Sequence, residues 1–163
     1  MIRVLADTCV LLDVGLRRFG WPQTKTQAAV LSAKLKRLDK WSATRGHNAS
    51  LYSKAFAELD IITPFEPEYA ESVYNLYMIR TKNRDELRER LGRGGVSIGL
   101  HCPVPLHLQD AFAHLGYKRG DFPVAEKLAQ EILSLPMFPE LEAAAIKRCT
   151  DVIKDFLNNR GAE

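Results

Sequence analysis

Two histidines frame two prolines in one short run. Gly99-Leu-His-Cys-Pro-Val-Pro-Leu-His-Leu-Gln109 carries His101 and His107 around Pro103 and Pro105. Imidazole titrates near neutrality, so a histidine held on a rigid loop can contact a ligand or move a proton. Proline fixes φ and disfavours helix at the residue before it, so Cys102 and Val104 are expected to be extended. The run reads as a strand end that opens into a stiff loop with two imidazoles held on it. Metal binding is not expected, because His101, His107 and His114 lack a compact ligand spacing and no acids stand in register with them.

Other chemistry-bearing residues read more plainly. Gly92-Arg-Gly-Gly95 follows a helical pattern and enters a strand, the reverse of the order a phosphate loop needs, so it is expected to cap a helix. Arg88, Arg90 and Arg93 are diluted by Glu86 and Glu89 and read as a solvated helix face. The lysines fall on helix surfaces or in turns. Cys9, Cys102 and Cys149 are scattered and form no CxxC, which suits free thiols in a reducing compartment.

Stepping outward, Ala28, Leu31, Leu35, Leu38 and Trp41 recur at helical spacing. They predict a helix from Thr24 to about Leu59, with a kink or break at Gly46. Pro64 and Pro67 mark an irregular connection. Val73 to Arg80 reads as a strand buried on both faces. Asn83 and Glu86 are a plausible capping pair for a short helix with Leu87 and Leu91 inward and Gly92 as its end. Val96 to Leu100 reads as a strand, with Val96, Ile98 and Leu100 on one face and Ser97, Gly99 and His101 on the other. Pro105 to Leu115 predicts a helical turn. Asp121 and Pro123 open a helix with the stripe Val124, Leu128 and Ile132. Leu133-Ser-Leu135 suits a short strand, and Ile146, Cys149, Ile153 and Phe156 form the stripe of a last helix. The sum is an α+β fold: a long N-terminal helix, then a small, mainly antiparallel sheet with helices packed on one side. The chain divides into an atypical segment at 1–23, a connecting helix at 24–60 and a small α+β domain at 61–163.

Composition sets outer bounds. The 163 residues suit one domain or a large piece of one, and 46% hydrophobic with 26% charged content is ordinary for a globular protein. A net charge of +3 is too weak to argue for nucleic acid. No apolar run approaches the ~20 residues of a membrane helix. Asp7 and Asp13 make the N-terminal stretch a poor signal peptide, so a cytoplasmic location is expected.

The run from Gly99 to Gln109 resembles the "G-x-H-Y-P-x-P-x-H-x-Q" pattern of the DegT/DnrJ/StrS sugar aminotransferases, with Cys102 in place of the usual Tyr. The resemblance continues through Gln27-Ala-Ala-Val-Leu31, Leu38-Asp-Lys-Trp41, Tyr74-Asn-Leu-Tyr-Met-Ile-Arg80, Leu115-Gly-Tyr, Gly120-Asp-Phe-Pro-Val-Ala-Glu126 and Leu133-Ser-Leu-Pro-Met-Phe-Pro-Glu-Leu141. It covers roughly residues 25 to 156 and is to the C-terminal small domain. It implies the fold of that domain in a fold-type I aminotransferase. It also implies a pyridoxal-phosphate-dependent reaction that moves an amino group, usually from glutamate, onto a nucleotide-linked keto-sugar for cell-surface or antibiotic sugar synthesis.

By the same resemblance, His101 and His107 border the substrate, near the nucleotide-sugar and across a subunit interface. The cofactor lysine belongs to the family's large N-terminal domain, and no lysine here stands in a matching setting. No catalytic, cofactor-binding or metal residue is therefore assigned to this chain. Family members also carry a "G-Y-N-S-R-L-D" type run before "Q-A-A", whose Asn and Arg are implied to reach the cofactor phosphate of the partner subunit. Here the stretch is Phe19-Gly-Trp-Pro-Gln-Thr-Lys-Thr26, without either.

The chain is thus expected to bind no pyridoxal phosphate by itself and to be inactive alone. It would work as a homodimer or with a partner chain that carries the N-terminal half. A docking module or a gene remnant is the alternative reading. A third comes from Met1-Ile-Arg-Val-Leu-Ala-Asp-Thr-Cys-Val-Leu-Leu-Asp13, which resembles the opening strand of PIN-domain nucleases. There an acid like Asp7 helps to hold Mg²⁺, and Cys9 replaces the usual Asn.

Overall fold

The computed structural model describes residues 25–101 and 103–160. Cys102 and the N-terminal segment with Asp7, Cys9 and Asp13 lie outside the described residues. The elements are α1 (Lys25–Leu35), α2 (Leu38–Phe56), β1 (Tyr77–Arg80), α3 (Arg84–Arg93), two 3₁₀ turns (Leu106–Leu108 and Asp110–Leu115), α4 (Pro123–Glu131), β2 (Ile132–Leu135) and α5 (Ala143–Arg160).

The long helix breaks at Lys36 and Arg37, not at Gly46, which lies inside α2. Helix propensity is a weak prior. The turns after Gly46 bury Asn48, Ala49, Tyr52 and Phe56, and this packing outweighs the ~1 kcal/mol that a glycine costs. The stripe on α1 is only partly covered, with Leu31 half-buried and Leu35 exposed.

Strands β1 and β2 pair antiparallel in the register Tyr77↔Leu135, Met78↔Ser134, Ile79↔Leu133 and Arg80↔Ile132. Single bridges widen the sheet on both sides, Ile62 to Arg80 and Gly99 to Ser134. The expected strand at 96–100 is thus reduced to one bridged residue. The expected strand at 73–80 is also shorter. It begins at Tyr77, and Tyr74 takes a left-handed backbone (φ 44°) that breaks the extended run before it. Nor is it buried on both faces, because Met78 is 39% exposed.

Side chains alternate across the pleat, so Tyr77, Ile79, Leu133 and Leu135 share the core face. They meet Ala49, Tyr52 and Phe56 of α2, Leu87 and Leu91 of α3, and Ile146, Cys149 and Ile153 of α5. Tyr52 stacks on Tyr77 at 5.0 Å and on Phe56 at 5.9 Å. Its hydroxyl donates to the Pro136 carbonyl at 3.1 Å. Burial pushes the Tyr52 hydroxyl well up and the Cys149 thiol to about 11, so both stay protonated and neutral in the core. The fold is α+β, with helices on one face of a small antiparallel sheet.

Gly92 does not end α3, and Asn83 makes no side-chain cap. The helix runs to Arg93. Val96 N–H returns to the Leu91 carbonyl at 2.9 Å and Gly95 N–H to the Gly92 carbonyl at 3.0 Å. This is a Schellman closure, with the left-handed position taken by Gly95 (φ +72°).

Candidate functional site

The two histidines leave the sheet edge together but reach different anchors. Ser134 sits in β2 on the face opposite the core and is almost fully buried. Its hydroxyl meets His101 Nδ1 at 2.7 Å. Gly99 makes this contact sterically feasible: it pairs with Ser134, and His101, two residues on, folds its ring back over the bridge. A Cβ on Gly99 would lie 2.8 Å from His101 Cε1. The small residue is therefore a packing requirement of the imidazole. His101 remains exposed, and its Nε2 has no protein partner among the described residues. That nitrogen can donate to, or accept from, an oxygen of a ligand.

His107 is placed otherwise. It lies in the first 3₁₀ turn, and its side chain is 7% exposed. Nε2 meets Glu126 Oε1 at 3.0 Å, and the ring packs on Phe122 at 4.8 Å. Glu126 comes from the first turn of α4 and also accepts the Gly120 amide at 2.7 Å. The Gly120 amide, and after it His107, hold the Glu126 carboxyl below the usual carboxylate range. Sequence reasoning passed over Glu126. Its only signal was its place at the end of the Gly120–Glu126 motif, and its partners become visible only when the loop returns.

Helix α4 is held by polar ties. Arg80 pairs with Glu131, Arg84 donates to the Ala129 carbonyl, and Thr81 N–H donates to the Glu131 carbonyl at 3.0 Å. Its expected apolar stripe is covered only in part: Leu128 and Ile132 are half-buried and Val124 is 72% exposed. Beside the histidine loop is a hollow of about 180 Å³ lined by Pro103, Pro105, Leu108, Arg119, Glu126 and Gln130, among others. A larger one, about 470 Å³, lies between α2 and the 66–74 loop and is lined mainly by Ser42, Ser50, Ser53, Glu66, Ser72 and Tyr74. Glu66 organises its rim, taking the Ser72 amide at 2.6 Å and the Tyr74 hydroxyl at 2.7 Å.

Pyridoxal phosphate requires a lysine for its aldehyde, an acid for its ring nitrogen and donors for its phosphate. No lysine lines either hollow. Among the described residues, no group of three His, Cys, Asp or Glu side chains is placed to hold a metal ion. No helix among them is long and apolar enough to cross a membrane.

An α+β unit with a bridged two-stranded sheet and a helix-covered core fits part of an aminotransferase fold. The chain belongs to the DegT/DnrJ/EryC1/StrS aminotransferase family, whose model matches residues 23–154. It corresponds to the C-terminal small-domain part. It is 42% identical over 133 residues to a pleiotropic regulatory protein of Geobacillus stearothermophilus, covering 80% of this chain and 36% of the relative. It is 37% identical over 131 residues to the dTDP-3-amino-3,4,6-trideoxy-alpha-D-glucose transaminase of Streptomyces venezuelae, covering 80% and 35%. Among solved structures, S. venezuelae DesV in complex with a ketimine intermediate superposes with a TM-score of 0.78 at 37% identity, over 80% of this chain and 36% of that one. An aminotransferase of the same family from Brucella abortus gives 0.74 at 36% identity, over 80% and 35%. The chain spans about a third of the length of the curated relatives it matches.

Proposed function

We propose that this chain is the small-domain part of a nucleotide-sugar aminotransferase and supplies one wall of its substrate site. The reaction exchanges the keto oxygen of a nucleotide-linked sugar for the amino group of an amino-acid donor, usually glutamate, which leaves as its 2-oxo acid. Pyridoxal phosphate carries the amino group between them in the intact family. The observation that carries this reading is the family match across residues 23–154, together with the 37% identity to a dTDP-amino-sugar transaminase of Streptomyces venezuelae.

His101 is the residue proposed to face substrate. Ser134 fixes one edge of its ring, and the exposed Nε2 is left to meet a sugar or phosphate oxygen. His107, with its ring buried and its Nε2 engaged, supports the wall from behind. The small domain requires a large domain for its cofactor lysine, whether from a partner chain or from further polypeptide. Homodimers are proposed, in the cytoplasm where nucleotide-sugars are made. The alternative role as a docking module draws on Phe65 and Tyr69, which are 87% and 89% exposed.

The test is a pyridoxal-phosphate titration of the purified chain, followed by borohydride reduction and mapping of modified lysines. The expected outcome is no stoichiometric, site-specific adduct and no transamination, with both gained when a large domain is supplied. One lysine labelled at one equivalent in the chain alone overturns the reading.

A further inference from the structure

The loop between Leu108 and Asp121 is closed by one carboxylate oxygen. Glu126 Oε1 takes His107 Nε2 at 3.0 Å from before the loop and the Gly120 amide at 2.7 Å from its end. Both side chains are largely withdrawn from solvent, at 7% and 12% exposure. Phe122 covers the imidazole, and Tyr117 packs edge-on against Phe122 at 5.1 Å. Gly120 has φ +99°, a conformation that side-chain-bearing residues adopt only with strain, so a glycine is needed to aim that amide. An ionised carboxylate only accepts, so His107 Nε2 carries the proton.

Between the clasp and His101, Pro103 and Pro105 each lock one φ. A shift at His107 thus has fewer free torsions in which to be absorbed along this segment. His101 is held by Ser134 on the sheet, and the clasp holds His107 on the far side of the prolines. We propose that Glu126 is a positioning residue: acting through His107, it sets the place of the Pro103–Pro105 segment and hence of His101. The functional weight of this rests on the reading of His101 as the substrate-facing imidazole.

The test uses the full chain, isotopically labelled, with Glu126→Ala and Glu126→Gln. Imidazole resonances of His101 and His107 are recorded, and trypsin cleavage is timed after Lys118 and Arg119, both exposed in the clasped loop. In Glu126→Ala the hydrogen-bonded Nε2 proton signal of His107 is expected to vanish. The His101 ring signals are expected to move, and cleavage to quicken several-fold. Glutamine keeps an acceptor oxygen in place, so Glu126→Gln restores the His101 signals and the loop protection. Faster cleavage with unmoved His101 signals means the clasp only stabilises the loop, and it overturns the proposal. If Glu126→Ala does not fold, His107→Ala removes the donor of the same arm and is read in the same way on His101. No readout here involves cofactor or sugar. Failure of the clasp therefore leaves the aminotransferase reading standing, and a labelled lysine removes that reading without touching the clasp.

Discussion

The core face of the sheet and the histidine loop are assembled by different forces. Tyr77, Ile79, Leu133 and Leu135 are sealed beneath α2, α3 and α5, and their stabilisation scales with apolar area removed from water. From 103 to 131, by contrast, no residue is fully buried. That segment is ordered by two prolines, by the Glu126 clasp and by arginines that tie down α4. Burial is insensitive to small displacements, whereas hydrogen bonds at 2.7 to 3.0 Å specify position. The chain uses the first to exist as a folded unit and the second to hold an imidazole in place.

The contrast can be broken most strongly from the core. Phe56→Ala empties a fully buried site and is expected to cost about 3–5 kcal/mol in chemical denaturation. The His101–Ser134 contact should survive in whatever fraction stays folded. A smaller effect comes from Gly99→Ala, whose Cβ collides with the His101 ring at 2.8 Å. It is expected to cost about 0.5–1.5 kcal/mol, the worth of the His101–Ser134 hydrogen bond lost as the exposed ring turns away, and to displace the His101 resonances while core methyl signals hold still. Smallest is Gly46→Ala, where the new Cβ meets nothing within 4 Å. It should stabilise the chain by about 0.5–1 kcal/mol with no change at either histidine, read as a higher denaturation midpoint.

Much of the sealed half was legible in the sequence. Leu87 with Leu91 and Ile146 with Cys149 and Ile153 are buried where their helical spacing put them, and Leu133 to Leu135 is a strand. His101 falls on the face that strand alternation assigned. The misreadings share one cause: periodicity shows that a face seeks cover, not whether this chain supplies it. Met78, Leu35 and Val124 all read as core and are exposed. Gly46 was credited with a break because propensity is local, while the packing of Tyr52 and Phe56 that overrides it is not. Within the site, His101 and His107 looked equivalent, since both flank prolines. Only the return of α4 places Glu126 against one and leaves the other open. Residues 1–24 lie outside the described residues, so the nuclease-like reading of Asp7 gains no structural ground.

The two strands of the sheet are not neighbours in the chain. Arg80 pairs with Ile132, and the whole histidine loop is threaded between them. Closing a loop of roughly fifty residues costs entropy before the first strand contact repays it, so the sheet forms late and not as a hairpin. The same wiring makes the loop a natural seam. A nick after Arg119 would leave one piece with α2, β1 and α3 and another with α4, β2 and α5. Each would hold one strand of the same pair, and mixing the pieces would rebuild the core as a two-fragment complex.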